Sequence, residues 1–188
     1  MKRLLVVFCI LLPLFLLLLS YKIVLGVTSL TPAQQDVMTY LDDKGSLPEE
    51  YNEAESSHFA DVKGVMRHVE IVFYMLLLGV TLMITYYRKD TMKLQKMFRY
   101  GGITTIISIL FFIFMTFFFF DSLFTQFHHL FFPQGNWQFP LDSMILQTFP
   151  FSFFSEITAK ITSFAFILGI VFIAVSFLMK NDTSSTRH

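Results

Sequence analysis

The sequence has little charge and a single cysteine. Charged residues make up 15% of its 188 residues, whereas hydrophobic residues make up 54% and 25 positions are phenylalanine. This composition is far from that of a soluble globular protein and indicates a membrane protein. Cys9 lies alone inside an apolar run, which excludes a disulfide or a cysteine metal site within one chain.

Nucleotide-binding and hydrolase motifs are also missing. The sequence contains no glycine-rich phosphate loop, no G-x-S-x-G and no H-E-x-x-H. Its formal net charge is zero, so no basic field favours nucleic acid. The sequence therefore predicts no nucleotide, no nucleic-acid partner and no cofactor.

What the sequence does have is four long apolar stretches. Each is about 20 residues, enough to cross a ~30 Å hydrocarbon core as a helix. They are residues 4–25, 69–87, 101–120 and 157–179. The third is predicted to continue as a helix to about residue 130, since no breaker precedes Pro133. The first resembles a signal peptide but lacks a small-residue cleavage site, so we expect it to be retained.

Charge asymmetry predicts the orientation of these spans. The connection 88–100 holds five lysines and arginines against one aspartate, which places it and both termini in the cytoplasm. The acid-rich segment 26–68 and the segment 121–156 are then extracytoplasmic. We predict a single domain, 1–188, of the all-α class: an integral membrane four-helix bundle, N-in and C-in, with short amphipathic helices in both outer segments.

Local signals place the outer helices. Ser29 or Thr31 can cap a helix that starts at Pro32 and stops near Gly45. A second helix is predicted to start near residue 56 or 57 and to run into the second span. Asp142 is predicted to cap a third short helix, whose apolar residues would dip into lipid. Those apolar residues are Ile145, Leu146 and Phe149.

Polar residues cluster just before the second span. Glu55, His58 and Asp61 are spaced by three, so a helix aligns them on one face. A carboxylate beside an imidazole fixes its tautomer and raises its basicity, as a general base requires. The alternative is that these residues form the solvated end of a membrane helix. Lys63 has two interpretations as well: snorkelling to the interface, or stabilising an oxyanion.

A second histidine segment follows the third span. Asp121 lies two helical turns before His128 on the same face. A histidine among phenylalanines is costly unless it has a partner or a function. Because adjacent helical residues diverge by about 100°, only one of His128 and His129 should point into the bundle, and the other towards headgroups or water.

Metal binding is an alternative use of these side chains. Glu55, His58, Asp61 and His128 form an N/O set of the kind that binds zinc or iron. Carboxylate-bridged di-iron bundles, however, use a pair of E-x-x-H motifs, and the chain has one. We therefore predict no metal site.

These motifs resemble those of a known family. E-x-x-H-x-x-D-V-K at 55–63, F-H-x-x-F-F at 127–132, G-N-W-x-F at 135–139, and D-x-x-I with F-P-x-x-F-F at 142–154 occur in this order. In these features the chain is similar to the lipoprotein intramolecular transacylases, Lit, four-span membrane proteins of low-GC Gram-positive bacteria.

The resemblance implies an acyltransferase reaction. The sn-2 acyl chain of a lipoprotein's S-diacylglyceryl cysteine moves to the α-amino group of the same cysteine, giving the lyso form. The implied partners are diacylglyceryl-modified lipoproteins in the outer leaflet and membrane lipid. The implied location is the cell membrane, with the site on the extracytoplasmic face.

The implied chemistry assigns roles to the polar residues. An α-amine with a pKa near 8 must lose a proton, and an imidazole near 6.5 is a suitable acceptor. His58 and His128 are expected to divide the base and acid roles, with Glu55 or Asp61 orienting His58. Asn136, Trp137 or Lys63 would stabilise the oxyanion. The full set of predicted substrate-binding residues is Lys63, Asp121, His129, Asn136, Trp137 and Asp142.

Two other functions are compatible with the same sequence. One is a metal-dependent membrane hydrolase of lipid esters. The other is a non-catalytic membrane scaffold whose outer helices dock a partner. The absence of internal repeats and of a polar stripe through the spans argues against a transport pathway.

Overall fold

A computed structural model describes residues 2–179 of the chain. In that range the protein is helical and contains no strand. The helices are α1 Lys2–Val27, α2 Pro32–Leu41, α3 Glu53–Tyr87, α4 Thr91–Phe131, α5 Met144–Thr148 and α6 Phe151–Leu178. Four of them, α1, α3, α4 and α6, are long and apolar enough to cross a membrane. The predicted all-α four-helix membrane fold is confirmed.

Close helix packing holds the bundle together. A Cβ added to Gly102 of α4 would lie 2.6 Å from the backbone oxygen of Gly169 on α6. Only glycine lets the two backbones approach this closely, as is common between membrane helices. Phe8, Leu12 and Leu16 of α1 are buried against the other helices. Large apolar side chains on the outside of the bundle are exposed, as suits contact with lipid.

Helix α2 starts as predicted and stops earlier. Thr31 accepts a hydrogen bond from the Gln34 N–H, and the Gln34 side chain accepts one from the Thr31 N–H, which forms a capping box before Pro32. The predicted stop near Gly45 is wrong, because the helix ends at Leu41. Asp43 takes the left-handed conformation instead (φ 62°), as short polar residues can.

Helix α3 begins at Glu53, a few residues before the predicted start. Asn52 accepts a hydrogen bond from the Glu55 N–H, and the Glu55 carboxylate accepts one from the Asn52 N–H. The N-x-x-E pattern is a capping box. It lies just before Ser56 and Ser57, the predicted start of the helix. The earlier start keeps Glu55, His58 and Asp61 within one helix.

The segments that the sequence predicts to be extracytoplasmic, 26–68 and 121–156, fold against each other rather than into lipid. Buried side chains of α2, α3 and α5, with Tyr51, form a compact group that we name the outer cluster. Its members are Val37, Leu41, Tyr51, Phe59, Ile145 and Phe149. Leu146 is partly buried against the same cluster, so the prediction that Ile145, Leu146 and Phe149 dip into lipid is wrong. The predicted cap is wrong as well, because Ser143 occupies the N-cap position of α5 and makes no side-chain cap bond.

Helix α4 runs the length of the bundle and then continues beyond a kink. Non-helical backbone angles at Phe119 mark a kink between its membrane part and its outer part. The helix ends at Phe131, and a turn follows in which the Gly135 N–H donates to the Phe132 carbonyl (3.1 Å). Gly135 has φ +80°, a conformation that glycine adopts without a steric penalty. This turn brings the amides on either side of Gly135 back towards α3.

Candidate active site

The candidate site lies where the start of α3 meets the end of α4 and the turn after it. His58 projects from the second turn of α3 and is 9% exposed. Its ring centroid lies 4.7 Å from that of Phe132 and 5.4 Å from that of Phe139. The imidazole is thus held between two aromatic side chains.

His128 approaches the same place from α4. Its Nδ1 lies 2.7 Å from the Phe124 carbonyl oxygen, which can only accept, so Nδ1 carries a proton. In the neutral ring the lone pair is then on Nε2. The ring lies 4.7 Å from Trp137 and 5.7 Å from Phe132. Phe132 therefore contacts both imidazoles.

An amide and a carboxylate support His58. The Asn136 Nδ2 donates to Asp61 Oδ2 (2.6 Å) and to Ser57 Oγ (3.2 Å). Gln134 Nε2 donates to the same oxygen of Asp61 (2.5 Å). With Nδ2 engaged in this way, Asn136 Oδ1 is buried without a partner among the described residues, and the Asn136 amide favours the charged form of His58. The sequence predicted direct orientation of His58 by a carboxylate, and the structure places an amide next to it.

Three polar atoms in this region are buried without a hydrogen-bond partner among residues 2–179. They are His58 Nδ1, Asn136 Oδ1 and Trp137 Nε1. The first titrates, the second is an acceptor and the third is a donor. Buried polar atoms are normally paired, so such a group is suited to a polar ligand. Together they could bind an amine and an ester carbonyl.

The pKa of each imidazole is below its ordinary value. Burial lowers the pKa of His58 most, and the neighbouring His128 lowers it further, while Asp61 and Asn136 oppose the change. Burial is also the main cause of the lowered pKa of His128, with His129 adding to it and the Phe124 carbonyl opposing it. Both rings are therefore neutral, and able to accept a proton, at neutral pH.

Glu55 and Lys63 have partners outside this group. The Glu55 carboxylate is 1% exposed and accepts backbone N–H bonds from Asn52 (3.0 Å) and Ile145 (3.1 Å). Lys63 Nζ lies 2.7 Å from Asp43 and 4.2 Å from the centroid of the Tyr40 ring. Arg67 shares Asp43 with it (2.8 Å). In this structure Glu55 joins α3 to α5, and Lys63 joins α3 to the end of α2.

The remaining predicted substrate-binding residues are His129, Asp121 and Asp142. The exposed His129 ring is 5.6 Å from Trp137, at the edge of the site. Asp121 is exposed on α4 beyond the kink and has no hydrogen bond or ion pair with any described residue. Asp142 lines a neighbouring cleft, together with Asn136 and Phe139.

The sequence did not identify several residues that build the site. Ser57 and Gln134 hold the Asn136–Asp61 pair, and Phe132 and Phe139 contact His58. Gln134 and Asn136 flank a turn glycine in an aromatic segment, which is a usable signal for paired amides. Nothing in the spacing distinguishes Phe132 and Phe139 from the other phenylalanines.

The metal alternative has no support in the geometry. Within residues 2–179 no three histidine, cysteine, aspartate or glutamate side chains converge closely enough to bind a metal ion together. Glu55, His58, Asp61 and His128 include one carboxylate bound to backbone N–H groups and another bound to two amides.

Solved structures with this fold exist. An in meso structure of the membrane-integral lipoprotein intramolecular transacylase Lit from Bacillus cereus is 19% identical, with a TM-score of 0.79 over 95% of this chain and 94% of that chain. A form of that protein with one histidine replaced by arginine is 20% identical, with a TM-score of 0.79 over 95% of this chain and 91% of the other. These likenesses establish the fold.

Sequence comparison identifies the family. No curated protein sequence matches the chain. The family model described as "Lipoprotein intramolecular transacylase Lit" matches residues 27–154, more than half of the chain. This range includes both imidazoles, the Asn136–Asp61 pair and the outer cluster. The chain therefore belongs to the lipoprotein intramolecular transacylase (Lit) family, and is an acyltransferase of the membrane.

Proposed function

We propose that this transacylase moves the sn-2 acyl chain of an S-diacylglyceryl cysteine to the α-amino group of the same cysteine, with His58 and His128 exchanging the protons. The family match supports the reaction class. The observation that carries the residue assignment is the convergence of the two imidazoles from different helices on Phe132. The ester and the amine belong to one molecule, so binding them together lowers the barrier through proximity.

His128 is the proposed base. Its Nδ1–H is held by the Phe124 carbonyl, which leaves Nε2 to accept a proton. The neutral amine attacks the ester carbonyl carbon, a C–N bond forms, and Nε2 takes the proton that the nitrogen loses. The pKa of an ordinary α-amine is near 8, so a fraction of it is neutral at neutral pH.

His58 is the proposed acid. When its imidazolium gives a proton to the sn-2 oxygen, the C–O bond breaks and a glycerol hydroxyl is released. Burial makes this proton easy to give, whereas Asp61 and the Asn136 amide favour the charged ring. Proton exchange with solvent then restores both rings. No covalent intermediate on the enzyme is needed.

Trp137 is the proposed oxyanion donor. Its Nε1–H is buried without a partner among the described residues, and its ring lies against His128. A donor aimed at the tetrahedral oxygen lowers the barrier, and losing one such donor commonly costs about 10²–10³ in kcat. Lys63 is excluded from this role in our proposal, because Asp43 and Tyr40 engage its ammonium.

The test of the reaction is mass spectrometry of the product. Purified protein in a micelle is given a synthetic diacylglyceryl lipopeptide, and fragmentation of the product locates each acyl group. We expect one acyl group to move from glycerol to nitrogen with no change in total mass. Loss of an acyl group to water would indicate a hydrolase, and activity abolished by chelators would indicate a metal. An unmodified lipopeptide would favour the scaffold function.

We also propose that the termini face the cytoplasm and the site faces outward. The cation-rich 88–100 connection supports this orientation, since positively charged loops remain inside. In a Cys9→Ser background, a cysteine at exposed position 49 should react with a membrane-impermeant maleimide in intact cells. A cysteine at position 89 should react only after lysis. The reverse pattern would contradict the orientation.

A further inference from the structure

A cleft with two carboxylates in its lining, those of Glu50 and Asp142, lies beside the imidazole site. It has a volume of about 490 Å³ and is formed by the chain before α3 and the chain that leads into α5. Its lining includes Glu50, Asn136, Phe139, Asp142, Ser143 and Gln147.

The cleft and the imidazole site share two side chains. Phe139 lines the cleft and lies 5.4 Å from the His58 ring, centroid to centroid. Asn136 also lines the cleft, and its side-chain amide acts on the pKa of His58. A molecule that reacts at His58 can therefore continue past these two residues into the cleft.

The lining combines charged and polar groups with the apolar side chains of Ala54, Phe139, Pro140 and Met144. Carboxylates, amides and a hydroxyl line it, and no lysine or arginine does so among the described residues. Glu50 and Asp142 form no ion pair in residues 2–179, and the Ser143 Oγ is buried there without a partner. Such groups can bind the N–H and C=O groups of a peptide and favour positive charge.

We propose that this cleft binds the polypeptide that follows the lipidated cysteine of the substrate, and that it favours basic residues there. The inference rests on the proposed function and adds which part of the substrate is bound where. With the ester and amine at the imidazoles, the acyl chains remain with the apolar surface of the bundle. The first peptide residues leave through the cleft, where Glu50 and Asp142 face them.

The test compares lipopeptides that differ only in charge. Three diacylglyceryl peptides carry lysines, glutamates or serines after the cysteine, and each is assayed at low and high salt. The Glu50→Gln/Asp142→Asn variant should raise KM for the lysine peptide by about 3- to 10-fold, since exposed pairs are individually weak. It should leave KM for the serine peptide unchanged, and high salt should abolish the difference.

Matched variants separate this effect from general loss of charge. Glu49→Gln and Glu53→Gln remove exposed carboxylates next to the cleft that do not line it, and should leave all three KM values unchanged. Equal KM values for lysine and glutamate peptides in the unaltered protein would overturn the charge preference. Failure of every lipopeptide to react would instead overturn the proposed function.

A contact measurement tests the location independently of charge. A lipopeptide with benzoylphenylalanine directly after the cysteine is irradiated with the protein, and the crosslinked residue is identified by mass spectrometry. We expect crosslinks at Met144 or Gln147 of the cleft. Crosslinks at the groove between α1 and α6, which Val27 and Phe164 line, would overturn the proposal. So would attachment in the cleft of a probe carried on an acyl chain.

Discussion

The side-chain amide of Asn136 donates a 2.6 Å hydrogen bond to Asp61, a residue 75 positions earlier in the chain. This bond holds the Nδ2 end of the amide at Asp61 and leaves Oδ1 buried without a partner among the described residues. The amide oxygen of Asn136 can accept a hydrogen bond from an N–H group of the imidazole or of a substrate amine. The negative charge of Asp61 therefore acts on His58 beside an oriented amide dipole.

Asn136→Ala should reduce kcat by up to about 100-fold, since a misplacement of about 1 Å at a catalytic group costs that much. KM should change little, because the peptide and acyl chains keep their other contacts. Gln134→Ala removes the second amide donor to Asp61 but leaves Asn136 in place, so its kcat should fall much less. Equal losses in the two variants would contradict a specific role for Asn136.

His58→Gln and His128→Gln should each reduce kcat by about 10²–10⁴, the contribution of a positioned acid or base. The matched control is His68→Gln. His68 also lies within 2.7 Å of a backbone carbonyl one turn earlier, on Gly64, but it is exposed and lies outside the site. His129→Gln should have a small effect, because its ring contacts only the edge of the site. A large loss in His129→Gln and none in His128→Gln would exchange their roles.

Stability should depend on pH through two imidazoles, the buried His58 and the half-buried His128. The folded-state pKa of His58 and of His128 lies below the unfolded value of about 6.5, so the unfolded chain binds more protons as the pH falls. The groups that face them are Asp61, His129 and each other. The contribution of these two imidazoles to the free energy of unfolding should be complete above pH 6.5. It should be lost as the pH falls below that value.

Thermal unfolding in detergent between pH 7.5 and 5 measures this dependence. Tm should fall as the pH is lowered, and a His58→Gln/His128→Gln variant should show a shallower fall. His68→Gln should retain the original slope. A Tm that rises on acidification would contradict the stated direction of both pKa changes.

Glu55→Gln should act on stability rather than on chemistry. The buried carboxylate accepts the Asn52 and Ile145 N–H groups, so weakening these bonds should cost about 1–3 kcal/mol. Tm should fall, whereas kcat of the folded protein at low temperature should remain normal. The exposed neighbour Glu53→Gln is the control. A hundredfold loss of kcat at unchanged Tm would instead support the sequence-based role in orienting His58.

Gly102→Ala should destabilise the bundle by about 1–3 kcal/mol, because its Cβ would lie 2.6 Å from the Gly169 backbone oxygen. Gly79→Ala is the matched change on α3, where no atom lies within 4 Å of the added Cβ. That variant should be neutral or slightly stabilised, since alanine is the better helix former. The Tm of each variant, measured in detergent, compares the two changes directly.

The parts of the fold that follow from local chemistry were predictable. Length and hydropathy located four helices that can cross a membrane, and Thr31 with Pro32 located the start of α2. The capping box of Asn52 and Glu55 was equally local and was missed. The outer cluster was not predictable, because apolar residues such as Ile145 suit either lipid or a protein core, and periodicity does not separate the two.

The sequence by itself determined the membrane class, the family and the two histidine segments, because these depend on hydrophobic length and on motifs read along the chain. Only the tertiary structure decided the partners of each polar side chain. In the folded protein the Glu55 carboxylate accepts a hydrogen bond from the backbone of α5, Lys63 forms an ion pair with Asp43, and Asn136 donates a hydrogen bond to Asp61. The physical reason is that hydrogen bonds and ion pairs act over about 3 Å, whereas these partners are separated by between 20 and 90 residues and meet only when the helices pack.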